Sequence, residues 1–193
     1  MEIKDELDLA RSKEYALLAA LLTRSPDDLL LRRISAIAAD QSPLGVAHAN
    51  LAHAAHRSNE QTAAREFFAL FSGLGKEALL PYASHYMSHT LYGRPLVQLR
   101  ETLLSLNLAM AQDRNEPEDH ASLVCEVVAA IASGRVSVDA GAERVFFHEH
   151  VSSWMIQFFD DLERTRSADF YAAVGKVGRT FIDIELKAFI LAN

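Results

Sequence analysis

Leu96-Val97-Gln98-Leu99-Arg100-Glu101-Thr102-Leu103-Leu104-Ser105-Leu106-Asn107-Leu108-Ala109-Met110 decides the fold class. Leu96, Leu99, Leu103, Leu106 and Met110 recur at alternating intervals of three and four, which places them on one face of a helix. Outward from this stretch the same period repeats. Tyr15, Leu18, Leu21 and Leu22 form one such face, and Leu29, Leu30, Ile34 and Ile37 another. Phe67, Phe68, Leu70 and Phe71 supply bulky core candidates, and Leu123, Val124, Val127, Val128 and Ile131 run on to Gly134. Val145, Phe146, Trp154, Ile156, Phe158 and Phe159 follow, then Phe170, Tyr171, Val174, Val177, Phe181, Ile184 and Ile190.

Start signals separate these runs. Ser25-Pro26-Asp27-Asp28 reads as an N-cap serine, a proline at the first helical position and acids in the first turn. Ser42-Pro43 repeats the signal, and Asn59 or Glu60, Asp139 and Ser167 open later helices. No strand run and no internal repeat interrupts the pattern. The expectation is an all-α chain, a single bundle of about nine or ten helices. Polar Gln112–Asn115 is the best candidate boundary, dividing an N-terminal lobe of about 1–111 from a C-terminal lobe of about 117–193 across a hinge near 111–116.

Of 193 residues, half are hydrophobic and 23% charged, the balance of a globular chain with a packed core. Nineteen basic against 26 acidic residues give a net charge of −7 and no basic patch, so nucleic acid and anionic membrane are poor partners. Met1 to Lys13 lacks the apolar core of a secretory signal, and no run reaches the ~20 apolar residues of a membrane span. The expected location is cytoplasmic. Cys125 is the single cysteine and lies in an apolar run, so it reads as a buried, inert thiol.

Several motifs invite chemistry. Gly73-Leu74-Gly75-Lys76 lacks the strand and spacing of a phosphate loop and reads as a helix end. Arg32-Arg33 reads as a solvated helix face. His85 and His89 lie four apart and would share a helix face. With His120 and nearby acids they define the alternative reading, a metal-dependent helical hydrolase. Glu116-Pro117-Glu118-Asp119-His120 packs three carboxylates and an imidazole around a proline. It reads as a helix start with Asn115 or Glu116 as cap and Pro117 in first position, as a recognition surface, or as an acid/base pair.

Glu116 to His120 resembles the Glu-Pro-x-Asp-His signature of the TorD/DmsD/NarJ-type chaperones that mature molybdenum enzymes. Four further stretches agree with that family in order. They are Phe68-Ala69-Leu70-Phe71 leading to Gly73 and Gly75, Pro81 to Tyr86 with its Tyr-x-Ser-x-Tyr pattern, Gly93-Arg94-Pro95-Leu96 through Arg100, and Phe147 to Trp154. The resemblance covers roughly Glu66 to Ile190, with a departure at Asn107-Leu108, where the family usually carries a glycine before an apolar residue.

The resemblance implies an all-helical chaperone without enzymatic activity. It would bind an apo-molybdoenzyme, its twin-arginine signal peptide or both, assist molybdopterin cofactor insertion and delay export. It implies no resident cofactor, beyond weak guanine nucleotide binding or transient molybdopterin contact, and a monomer or domain-swapped dimer. The client is left open among formate dehydrogenase and the dimethyl sulfoxide, trimethylamine N-oxide and nitrate reductases. The implied client surface comprises Tyr82, Ser84, Tyr86, Arg94, Pro95, Leu96, Glu116, Pro117, Glu118, Asp119, His120 and Trp154. Tyr82, Tyr86, Leu96 and Trp154 would line a groove for an apolar helix, while Glu116, Glu118 and Asp119 meet its arginines.

Overall fold

The computed structural model describes residues 6–74, 77–108 and 116–191. Among them are ten α-helices, one π-helical turn and no strand. The helices are α1 Glu6–Thr23, α2 Asp28–Ser35, α3 Pro43–Arg57, α4 Glu60–Phe71, α5 Ala83–Ser88, α6 Arg94–Ser105, α7 Ala121–Ala132, α8 Ala142–Phe147, α9 Met155–Glu163 and α10 Phe170–Leu191. The π-turn, His148–Ser152, sits between α8 and α9. The expected linker at Gln112–Asn115, and with it Met110, Gly75 and Lys76, lies outside the described residues.

The chain forms two compact units, Met1–Ala20 with Pro81–Met155, and Leu21–Leu80 with Ile156–Asn193. The first therefore draws on sequence from both sides of the 112–115 linker. Its buried side chains include Tyr15 and Leu18 of α1, Leu96, Leu99 and Leu103 of α6, and nearly all of α7. Ser12 Oγ donates to the Ala129 carbonyl at 2.9 Å. Arg11 reaches Glu143 at 2.7 Å. Cys125 of α7 is buried, and that burial pushes its thiol pKa up, away from the reactive thiolate.

In the second unit α10 packs along α3 and α4, and α2 along α3. Gly175 and Gly178 let α10 approach α9 closely. A Cβ built on Gly175 would lie 2.3 Å from the Glu163 backbone nitrogen. Glu66 accepts from the Asp169 and Tyr171 amides at 3.0 and 3.1 Å, satisfying donors at the start of α10.

Local chemistry explains most boundaries. Ser42 caps α3 by accepting from Gly45 N–H at 3.0 Å with Pro43 in the first turn, as its sequence predicts. Asn59 caps α4 in a reciprocal box with Thr62. α2 starts later than expected, because Asp27 and not Ser25 caps it, accepting from Leu30 N–H at 2.7 Å. Its buried face is accordingly Leu31 and Ile34, and Leu29 is exposed. The run after Asp139 is broken into α8, the π-turn and α9, which turns Val145 to solvent. The final helix begins at Phe170, because the Ser167 amide is held by Glu77 at 3.0 Å.

α6 ends at Ser105, short of Met110. Asn107 takes φ 55°, while its N–H donates to Leu104 C=O at 3.0 Å and that of Leu108 to Leu103 C=O at 2.8 Å. This is a Schellman closure, and asparagine tolerates its left-handed position better than other side-chain-bearing residues. The departure from the family's glycine thus leaves the turn intact.

Candidate functional site

The site is built where residues 116–121 meet 81–84. The Ala83 N–H donates to Asp119 C=O at 3.0 Å, and the Ala121 N–H to Pro81 C=O at 2.8 Å, making an antiparallel bridge between Tyr82 and His120. The His120 N–H closes a turn onto Pro117 C=O at 3.0 Å. Pro117 is therefore a turn residue, not the first position of a helix. α7 starts at Ala121 with His120 as its cap.

Each titratable group in this turn has a distinct task. Asp119 is fully buried, and its Oδ2 accepts from Ser84 N–H at 2.9 Å. It satisfies an orphan donor at the N-terminus of α5, where Tyr82 provides no side-chain cap. Its Oδ1 is also buried and has no hydrogen-bond partner. Glu116 is exposed and accepts from the Tyr82 hydroxyl at 2.6 Å. Burial first, and this carboxylate second, hold the Tyr82 hydroxyl pKa well above the ordinary range. Glu118 pairs with the Arg100 guanidinium at 2.7 Å, which lowers its carboxyl pKa.

His120 Nδ1 accepts from the Ser122 N–H at 3.2 Å and lies 2.7 Å from Ser122 Oγ, which places the ring proton on Nε2. The ring meets Tyr82 edge-on at 5.1 Å. Burial lowers the His120 pKa, partly opposed by Glu116 and Asp119. His150 is likewise buried and shifted down by burial. Its Nε2 lies 2.8 Å from Thr102 Oγ1, and since that hydroxyl donates to Gln98 C=O, Nε2 is the donor.

A pH dependence follows. Both histidines have folded pKa values below the ordinary 6.5. The unfolded chain therefore binds more protons in the window below that value. Their contribution to stability is complete above about pH 6.5 and is lost as pH falls through the folded values. The urea midpoint should drop between about pH 7 and pH 5, and His150→Gln should flatten the drop.

Tyr82, Ser84 and Tyr86 thus divide their work. Tyr82 holds Glu116. Ser84 is buried, and its Oγ accepts from Tyr92 N–H at 3.2 Å, steadying a residue at φ 61°. Tyr86 lies 5.8 Å from the Trp154 ring. Trp154 Nε1 donates to His150 C=O at 2.8 Å within the π-turn. Leu96 and Trp154, expected to line an open groove, are each only 2% exposed and belong to the core instead. Pro95, Ser84 and Asp119 are also buried. The accessible members of the expected set are Tyr82, Tyr86, Arg94, Glu116, Pro117 and Glu118.

Sequence reasoning passed over the apolar surface beside them. Met87, Leu91 and Tyr92 are 41%, 37% and 69% exposed. Tyr92 lies near enough to Tyr82 to bear on its ionisation. A signal was available: apolar residues standing between a helix end and Gly93-Arg94-Pro95. His85 and His89 do not share a helix face, since His89 ends α5 in the left-handed region at φ 54°. Among the described residues no group of three or more His, Cys, Asp or Glu could hold a metal ion.

The family model for the nitrate reductase delta subunit matches residues 37–160. The chain belongs to the TorD/DmsD/NarJ family. A Vibrio cholerae protein named chaperone protein TorD is 29% identical over 128 residues, 62% of this chain and 58% of that one. A Haemophilus influenzae protein described as the Tat proofreading chaperone DmsD is 27% identical over 117 residues, 60% of this chain and 56% of its own. The match thus spans less than two thirds of either relative. The fold is shared with a crystal structure from Archaeoglobus fulgidus described as a redox enzyme maturation protein. Its TM-score is 0.62 at 17% identity, covering 95% of this chain and 98% of that one.

Proposed function

We propose that this chain is a maturation chaperone, not an enzyme, and that it binds an apo-molybdoenzyme through an arginine-bearing apolar segment such as a twin-arginine signal peptide. The observation that carries this reading is the position of Glu116 and Glu118, accessible carboxylates on a turn bonded to Tyr82–Ala83, in the same unit as exposed Met87, Leu91 and Tyr92. An apolar segment with a guanidinium pair fits both halves, because carboxylates accept the guanidinium fork and a net charge of −7 favours encounter with a basic peptide. Family membership supports the reading, and the names of the relatives agree with it.

The role needs no resident metal, nucleotide or cofactor. No described helix is long and apolar enough to cross a membrane. In this reading the chain works on its client in the cytoplasm, before export. Tyr92→Ala should weaken binding of an apolar arginine-pair peptide by about ten-fold, the loss of one aromatic anchor, with helicity unchanged. Calorimetric titration beside circular dichroism tests this. Unchanged affinity would remove the apolar half of the site. Co-purification of a molybdoenzyme catalytic subunit from cells induced for such enzymes tests the function itself.

A further inference from the structure

Both accessible carboxylates of the turn are already occupied by donors from within the chain. Glu118 Oε2 takes Arg100 Nη2 at 2.7 Å and Nε at 2.9 Å, and Glu116 takes the Tyr82 hydroxyl at 2.6 Å. The two donors differ in kind. Tyr82 is half-buried, edge-on to His120 and fixed by the backbone bridge. The Arg100 side chain is 52% exposed and long, so it can swing away without disturbing α6.

Arg100 also feels the field of Asp119, whose buried Oδ1 lacks any donor. A guanidinium at Glu118 is thus held by one carboxylate directly and by a second at longer range. That is the setting a client arginine would meet. We infer that Arg100 is an internal place-holder for a client guanidinium and thereby sets the affinity threshold of the site, an inference resting on the peptide-binding reading above. The client must exchange its own arginine for Arg100, so the apparent affinity is the intrinsic one scaled by the fraction of molecules with Glu118 released. A basic segment without the apolar contact gains little, because it only replaces one ion pair by another.

Titration with a synthetic apolar peptide carrying adjacent arginines tests this on the wild-type chain, Arg100→Gln, Glu118→Gln and the double variant. Arg100→Gln should bind about two- to five-fold tighter, the value of one exposed ion pair no longer broken. Its affinity should also fall more steeply with salt, since its complex gains a net ion pair. The double variant should match Glu118→Gln, and both should bind about as wild type does, because neither forms nor breaks an ion pair at this position. Arg100→Lys, which keeps the charge without the fork, should lie between wild type and Arg100→Gln, and serves if the glutamine variant folds poorly.

If Arg100→Gln binds as wild type or more weakly while Glu118→Gln binds poorly, Arg100 is a tether that shapes the turn. The place-holder role is then overturned and the peptide-binding reading stands. If Glu118→Gln and Arg100→Gln both bind as wild type, Glu118 is not part of the site and the inference is overturned. Absence of binding by all four folded chains overturns both.

Discussion

Asp119→Ala should lower stability by about 2 kcal/mol and Asp119→Asn should restore most of the loss. The carboxylate is fully buried and its Oδ2 accepts the Ser84 N–H at the start of α5. Alanine leaves that N–H buried and unpaired, a cost of roughly 1–3 kcal/mol. Asparagine keeps an acceptor in the same place and removes a charge whose other oxygen has no partner. The family resemblance implies that Asp119→Ala weakens client binding or maturation with little loss of fold. The geometry revises this, since the residue joins 116–121 to α5. The asparagine variant separates the roles. If it melts like wild type yet binds arginine peptide poorly, the charge serves recognition. If alanine and wild type melt together, Asp119 does not hold α5.

Gly175→Leu should have the larger effect on stability, about 3 kcal/mol, at the upper end of overpacking costs. The Cβ alone would lie 2.3 Å from the Glu163 nitrogen and 2.8 Å from the Glu163 Cα, and both are backbone atoms. No rotamer change relieves such a clash, so α9 and α10 must separate. A fall in melting temperature of roughly 6–12 °C is expected for a chain of this size. Gly178→Ala should destabilise as well, because its Cβ would lie 2.3 Å from the ring of Phe159, which is itself fully buried. Equal melting of the Gly175 variant and wild type would mean that the two helices do not pack this closely.

Helix class and most core positions were legible in the sequence because they rest on local period and capping. Tyr15, Leu18, Leu99, Val174 and Val177 fall inside as their spacing requires. Ser42 and Asn59 cap as their side chains predict. Phe68 is a core candidate by its aromatic neighbours, yet it stands outside the core. A step of one residue turns a helix by about 100°. Phe67 packs on Phe71 and Tyr171, which leaves Phe68 62% exposed.

The turn at Pro117 departs from its sequence expectation for another reason. A proline among acids has the composition of a helix start, and nothing nearby in sequence reveals that Ser84 and Pro81 will claim Asp119 and Ala121. The family resemblance names a candidate site, but which of its residues are buried, as Trp154 is, and which accessible, as Glu116 is, depends on partners tens of residues away. Arg100 entered only as the end of a matching stretch, and its pairing with Glu118 became visible in three dimensions.

The interleaved order of the first compact unit bears on how the chain is made. Its segment Met1–Ala20 is synthesised before the partners it needs, which lie in Pro81–Met155. Ser12 must wait for Ala129, which follows 117 residues later. At roughly 5–20 residues per second that delay is of the order of ten seconds. During it Tyr15 and Leu18, both fully buried in the finished fold, have no complete core to enter. The second unit also closes late, since it is completed by Ile156–Asn193. A nascent chain of this order carries uncovered apolar surface while those later segments are made, so a protein proposed to shelter others passes through an interval when it needs shelter itself.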